Sequence, residues 1–306
     1  MARSRLRPVL TILVLAPVLG ECLSTATAPL ELLVWGPLVL IPLYGCGALL
    51  CRELARRFRL GTLGLALLAA AYAVYEEALV DDYWFDPGYA ARVGVGDYGR
   101  VWGTSLVLAT HLTAFHVVVS IGASIVLVER LFPAFRHEPW LRLRWLVLPA
   151  PAFASVPLVT WETYERGPLG PVVASAGLFV VLIAAAFLVP RGRTTAHAKG
   201  RYRPRPAALV AFACTAVHFV LVYTVASSGL AWPLGLALTL VPIVAGVRLV
   251  PRGAALPGLT GVLAFFVLLA GGAGLGGRYD FTVVALALAV LLRRLNRRER
   301  LWCADG

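Results

Sequence analysis

Apolar runs of about twenty residues recur from one end of this chain to the other, and arginine clusters fall between them in alternation. An α-helix of that length crosses the ~30 Å hydrocarbon core of a bilayer. Lipid offers no hydrogen bonds to a backbone, so each run must satisfy its own peptide groups as a helix. The runs read as spans over residues 8–28, 32–51, 60–80, 101–128, 145–164, 168–189, 207–229, 232–249, 256–276 and 279–292. The chain is 59% hydrophobic and 14% charged, too few charges for the surface of a soluble domain of 306 residues. The expected fold is therefore all-α, a polytopic transmembrane helix bundle of about ten spans. It reads as one integral membrane domain over 1–306, open to division at its longest basic connector into a six-helix part (1–190) and a four-helix part (207–306).

Basic residues set the orientation, because connectors rich in Lys and Arg stay in the cytoplasm. With the amino terminus inside, 24 of the 28 basic residues fall on the cytoplasmic side, leaving only Arg92, Arg100, Arg166 and Arg278 outside. Merging or losing a span would put several clusters on the wrong side. Both termini are thus expected in the cytoplasm, with the chain in the cell membrane. The net charge of +12 then serves orientation and contact with anionic lipid heads. Aromatic residues do not alternate with the basic ones as on a stacking platform for bases, which argues against nucleic acid. The first span also has the basic start and apolar middle of a secretory signal, but Glu21 interrupts it and Pro29 follows the candidate cleavage point. The five cysteines make no C-x-x-C pair and read as small apolar residues.

Ionisable groups at membrane depth are costly and mark candidate sites. Eleven of the 16 acids lie in outer connectors or outer helix halves: Glu21, Glu31, Glu76, Glu77, Asp81, Asp82, Asp86, Asp97, Glu162, Glu165 and Asp280. Counted along their helices, Glu77, Glu21, His111 and His218 reach depths that let them share one outward-facing cavity. His116 counts as deeper. Glu76 and Glu77 are ~100° apart on a helix, so one is expected to act while the other orients it. Two carboxylates near neutral imidazoles can activate water, hold a divalent metal ion or relay protons. On this reading Glu76, Glu77, His116 and His218 are candidate catalytic residues, and Glu21, His111, Asp81 and Asp82 candidate substrate- or ion-binding ones. Equally, such acids can pair with an arginine or a backbone group near the interface. His116 and Ser120 share a helix face but have no acid beside them in sequence. The outer stretch 81–89 mixes acids, aromatics and a turn signal, suiting a lid or an interfacial aromatic belt. Gly272 to Gly277 matches G-x-G-x-x-G but follows no strand, and reads as close helix packing.

The set Gly20-Glu21-Cys-Leu-Ser24, Tyr44-Gly-Cys-Gly47 with Arg52-Glu53, Tyr75-Glu-Glu77, Phe85-Asp-Pro87, Tyr98-Gly-Arg100 and His111 to His116 resembles an uncharacterised family of prokaryotic multi-pass membrane proteins. The resemblance covers the first half of the chain, through Glu138-Pro-Trp140, and implies architecture without an activity. A fainter likeness is to the CAAX-processing class of glutamate-dependent intramembrane proteases. It implies Glu76 or Glu77 as the base that activates water, with His116 and His218 as partners. Asp81, Leu112, Ser120 and Val222 stand where that class carries an arginine, a phenylalanine and two asparagines. The leading expectation is an intramembrane hydrolase or peptidase. Its rivals are a transporter or channel for a small solute or proton, with prolines such as Pro151, Pro157 and Pro242 breaking helices around a central site, and a non-catalytic membrane scaffold.

Overall fold

Seven helices long and apolar enough to cross a membrane stand in a computed structural model that describes residues 3–161, 163, 166–190, 204–251 and 254–304. The first helix, α1, runs Arg3–Pro17 and continues through Val18–Cys22. Then come α2 (Glu31–Arg57), α3 (Thr62–Val80), α4 (Leu106–Leu131), the apolar segment α5 (Leu143–Val159), α6 (Leu169–Leu188), α7 (Arg205–Ser227), α8 (Trp232–Leu249), α9 (Ala255–Gly276) and α10 (Tyr279–Ala304). The seven are α2–α4 and α6–α9. Glu162, Glu165 and most of the basic connector 191–206 lie outside the described residues.

Helix α4 is the axis of the packing. Its Ile121, Ile125 and Val128 enter a core shared with α1, α2, α3 and α6. Its Val119, Ala123 and Leu127 enter a second core with Leu256, Phe266, Phe281 and Leu288 of α9 and α10. One core therefore joins residues from both sides of the long basic connector. Helix α1 is part of the same packing, with Ile12, Ala16 and Leu19 fully buried.

At one end of the bundle the arginines close a buried ionic knot. Arg52 is wholly buried; its Nε donates to Glu129 at 3.1 Å and its Nη1 to Glu53 at 3.1 Å. Its Nη2 donates to the carbonyls of Phe135 and Glu138, each at 3.0 Å. The guanidinium lies 3.5 Å from the ring centroid of Trp140. Glu53 in turn accepts the N–H groups of Trp140 (2.7 Å) and Leu141 (3.2 Å) and pairs with Arg57, while Arg56 holds Glu129. Arg5 bonds Glu138 and Arg130 bonds Glu299, which brings the start of α1 and the end of α10 to this same end.

The opposite end is closed by the chain after α3. Asp82, almost fully buried, takes Arg166 at 2.6 Å and the N–H of Gly167 at 3.0 Å. Trp84 and Phe85 turn inward onto Ala78 and Val172 rather than standing as an aromatic belt. Arg100 holds them from behind by donating to the carbonyls of Phe85 and Gly103. A short hairpin, β1 (Arg100–Val101) against β2 (Thr104–Ser105), then leads into α4. The fourth span accordingly starts at Leu106, five residues later than its hydropathy suggests.

The fifth span, read from the sequence over 145–164, is broken in the way its prolines allow. Three prolines, Pro149, Pro151 and Pro157, remove N–H donors, and the segment breaks into a 3-10 turn and two short helices. Pro157 leaves the Phe153 carbonyl without its donor four residues on. The hydroxyl of Tyr75 in α3 takes that place at 2.7 Å. The chain still passes from one end to the other here, since Leu141 is bonded to Glu53 and Arg166 to Asp82. The glycine-rich stretch closing α9 also differs from the expectation. Only Gly274 is packed closely, against Thr282; Gly271, Gly272 and Gly276 face open space, and Gly277 serves the turn with φ 88°.

Two substitutions test this framework by thermal unfolding in detergent. Arg52→Ala leaves two buried carboxylates short of a partner and is expected to cost ~3–5 kcal/mol. At Gly45 a Cβ would lie 2.7 Å from the Leu13 carbonyl oxygen where α1 and α2 touch. Gly45→Val is expected to cost ~1–3 kcal/mol by forcing the helices apart.

Candidate functional site

The first four helices each leave regular α geometry at one place. π-Helical turns cover Val18–Cys22, Gly36–Cys46, Tyr75–Val80 and His116–Ala123. These four stretches carry Glu21, Tyr44, Glu76 with Glu77, and His116 with Ser120. A π turn bonds each N–H to the carbonyl five residues back, so it widens the helix and re-aims side chains. Sequence favours it locally. Pro17 and Pro42 remove donors from the regular ladder, and at Gly122 a Cβ would lie 2.6 Å from the carbonyl oxygen of Val117, five residues earlier.

The stretches of α3 and α4 meet at His116. Glu77 Oε1 lies 2.6 Å from His116 Nε2, and Glu76 Oε2 lies 3.2 Å from Nδ1. Ser120 Oγ is 2.9 Å from the same Nδ1. Exposure is 0% at Glu76, 4% at Glu77, 1% at His116 and 0% at Ser120, so bulk water reaches none of them. Neighbouring glutamates on a regular helix diverge too far to share a centre. Here the wider turn and the two opposite nitrogens of one ring let both carboxylates reach His116. The contact also places His116 beside Glu77 and not in a deeper cleft. Depths counted along each helix misjudge this because the helix ends are not level.

The protons of this cluster follow from its geometry. With Glu77 accepting from Nε2–H, Nδ1 of a neutral ring is an acceptor and takes the Ser120 hydroxyl proton. Glu76 Oε2 then faces a nitrogen lone pair, and neither of its oxygens makes a hydrogen bond among the described residues; Oε2 of Glu77 is likewise unbonded. Two acceptors at 3.2 Å require a proton or a cation between them. The tyrosines Tyr44 and Tyr72 flank the centre, their rings 6.1 and 5.7 Å from the His116 ring. One donor atom each from Glu76, Glu77 and His116 lie within 4.8 Å of one another, a spacing and donor set that suit a divalent metal ion.

Glu21 adjoins this centre through Tyr44, whose hydroxyl donates to Glu21 Oε1 at 2.5 Å; Thr27 donates to Oε2 at 2.5 Å. His111 and His218 form a separate pair. His218 Nδ1–H donates to the Thr239 carbonyl at 2.8 Å, so its Nε2 accepts from His111 Nδ1 at 3.0 Å. His111 Nε2 is left to accept from Tyr223 at 3.4 Å. That directed chain ties α4, α7 and α8 together. Asp82 is engaged in the closure with Arg166, and Asp81 follows the π turn of α3 with its N–H on the Glu76 carbonyl. Thus Glu76, Glu77 and His116 converge, with Glu21 one residue away through Tyr44, while His111, His218 and Asp82 stand elsewhere. Tyr72 escaped the sequence reading, although a hydroxyl in the middle of an apolar span was a signal for it.

These features define a polytopic membrane protein with an enclosed carboxylate–imidazole centre. The chain belongs to an uncharacterised membrane protein family, whose model matches residues 10–294 and so reaches well past the half that carries the motifs. Neither curated proteins nor solved structures gave a match.

Glu76→Gln keeps the shape of a buried carboxyl group whose oxygens make no hydrogen bond among the described residues, so that variant is expected to unfold at or above the temperature of the unchanged protein. His116→Ala removes the shared partner of two carboxylates and is expected to lower stability by ~3–5 kcal/mol. A large loss from Glu76→Gln in thermal unfolding would make Glu76 a structural residue instead.

Proposed function

We propose that this protein transports protons or a small cation, with Glu76, His116 and Glu77 as the place where the charge is taken up and released. The observation that carries the reading is the geometry of the enclosed centre: two buried carboxyl groups on the two nitrogens of one imidazole, at 2.6 and 3.2 Å. Burying such groups costs several kcal/mol per ion unless a positive charge joins them. The cluster is closed to bulk water, which suits a proton or a small ion better than a larger solute. Thr27, Glu21 and Tyr44 form a line of exchangeable protons towards it, and π turns on all four surrounding helices supply elements that can shift by one hydrogen-bond register.

The sidedness that goes with this reading is ten traversals of the cell membrane with both termini in the cytoplasm. The arginine knot and the basic connectors face the cytoplasm and its anionic lipids, and the closure around Asp82 faces outward. Support comes from Arg5, Arg52, Arg130 and Glu299 meeting at one end. In intact cells, with the native cysteines replaced, Arg92→Cys is expected to react with an impermeant thiol reagent. Arg142→Cys is expected to react only after permeabilisation, and the reverse pattern inverts the map.

Transport is tested in proteoliposomes carrying a pH-sensitive dye, with a pH gradient or a potential imposed and candidate cations supplied in turn. Flux is expected in the unchanged protein, and Glu77→Gln and His116→Ala are expected to fall to the rate of empty liposomes. Flux that survives both substitutions, or none with any ion, removes the reading. A second reading, an intramembrane hydrolase, is favoured by one observation: Glu77, His116 and Ser120 form an acid–imidazole–hydroxyl line at 2.6 and 2.9 Å. It expects covalent labelling of the protein by a fluorophosphonate, lost in Ser120→Ala, or cleavage of a transmembrane peptide that Glu77→Gln abolishes.

A further inference from the structure

Far from the central cluster, the end of the bundle that carries the arginine knot has a groove of about 420 Å³. Its walls come from α7, α9 and α10. Arg205, Arg293 and Arg300 line it together with Asn296, and towards the middle of the bundle its lining turns apolar at Ala264 and Val267. Along α10 the lining runs from Arg300 back to Ala289, about 16 Å at 1.5 Å per residue. That is a charged mouth continuing into an apolar trough.

Among the described residues none of the three arginines has a carboxylate within salt-bridge distance. Glu299, the acid beside them in sequence, is held by Arg130. Asn296 is oriented by donating to Thr260 Oγ1 and to the Leu292 carbonyl, each at 2.8 Å. Residues 191–203, which lead into Arg205, hold five basic residues and no acid, so the chain's own sequence there adds positive charge instead of neutralising it. Among the described residues no acid neutralises the three arginines, so the groove presents net positive charge.

We propose that this groove binds one anionic phospholipid, its phosphate held by Arg205, Arg293 and Arg300 and an acyl chain laid along Ala264 and Val267. Guanidinium groups match phosphate oxygens in fork geometry. Basic pockets between membrane helices suit anionic heads, whose own lipid tails supply the apolar part. The site is independent of the central cluster and of the transport reading. A bound lipid would clamp α10 to α7 and α9, the helices that close the second core.

The test measures binding to the full-length protein in neutral detergent by native mass spectrometry and by shift of the unfolding temperature. Three additives are compared: phosphatidylglycerol, phosphatidylcholine with the same acyl chains, and inorganic phosphate. Phosphatidylglycerol is expected to bind at least about tenfold more tightly than phosphatidylcholine, the equivalent of ~1.4 kcal/mol, and inorganic phosphate is expected to stabilise far less. The double variant Arg293→Gln/Arg300→Gln is expected to lose the preference. Ala264→Phe, which fills the trough and keeps the charges, is expected to weaken both lipids. Arg142→Gln, a basic residue outside the groove, is expected to keep the preference. Equal binding of the two lipids, a preference surviving in the double variant, or inorganic phosphate matching the lipid overturns the proposal. If the double variant fails to fold, the lipid comparison on the unchanged protein and Ala264→Phe still decide it.

Discussion

A carboxylate taken out of water must find positive charge and hydrogen bonds inside the protein, and this molecule meets that demand in two opposite ways. At the arginine end, Glu53 and Glu129 meet three guanidinium groups and two backbone N–H groups, so positive charge is in excess and most lone pairs are filled. In the middle, Glu76 and Glu77 share one imidazole, and among the described residues three of their four oxygens make no hydrogen bond. The first arrangement locks helix ends together. The second leaves buried carboxyl oxygens without hydrogen bonds among the described residues, in a place of low dielectric where a single proton or ion changes the energy greatly. The contrast separates two kinds of buried carboxyl group within one chain.

The π turns connect that centre to the fold. Each widened turn gives up some of the regularity that makes a lipid-embedded helix stable, and four of them at one level form a pattern rather than isolated irregularities. They re-aim Glu76 and Glu77 onto the two sides of one ring. Around them the packing is tight, with α4 contributing to both main cores. Among the described residues the π-helical turns are thus confined to the four helices that carry the cluster and its neighbours. The histidine pair acts differently, since the Thr239 carbonyl fixes its proton direction and leaves no open acceptor facing another.

Much of the architecture was legible in the apolar runs and the spacing of arginines, because lipid permits few backbone solutions. In the fifth span the apolar run marks the segment, and its prolines, Pro151 and Pro157 among them, mark the breaks that hydropathy alone does not register. The start of α4 was misread because Val101 and Trp102 are apolar yet sit in a hairpin. For the site, Glu76, Glu77 and His116 were visible as costly groups at membrane depth. Their mutual geometry was not, because a helical wheel assumes regular turns and a depth count assumes level helix ends.

By itself the sequence determined that the chain belongs in a bilayer as an all-helical bundle with its basic connectors segregated, since transfer free energies act on each segment separately. Only the tertiary structure decided which polar groups meet. Glu77 and His116 are 39 residues apart, His111 and His218 are 107 apart, and nothing local in the chain encodes such distances. Those pairings follow from how α3, α4 and α7 pack, a collective result in which each group's partner depends on the register of every helix around it.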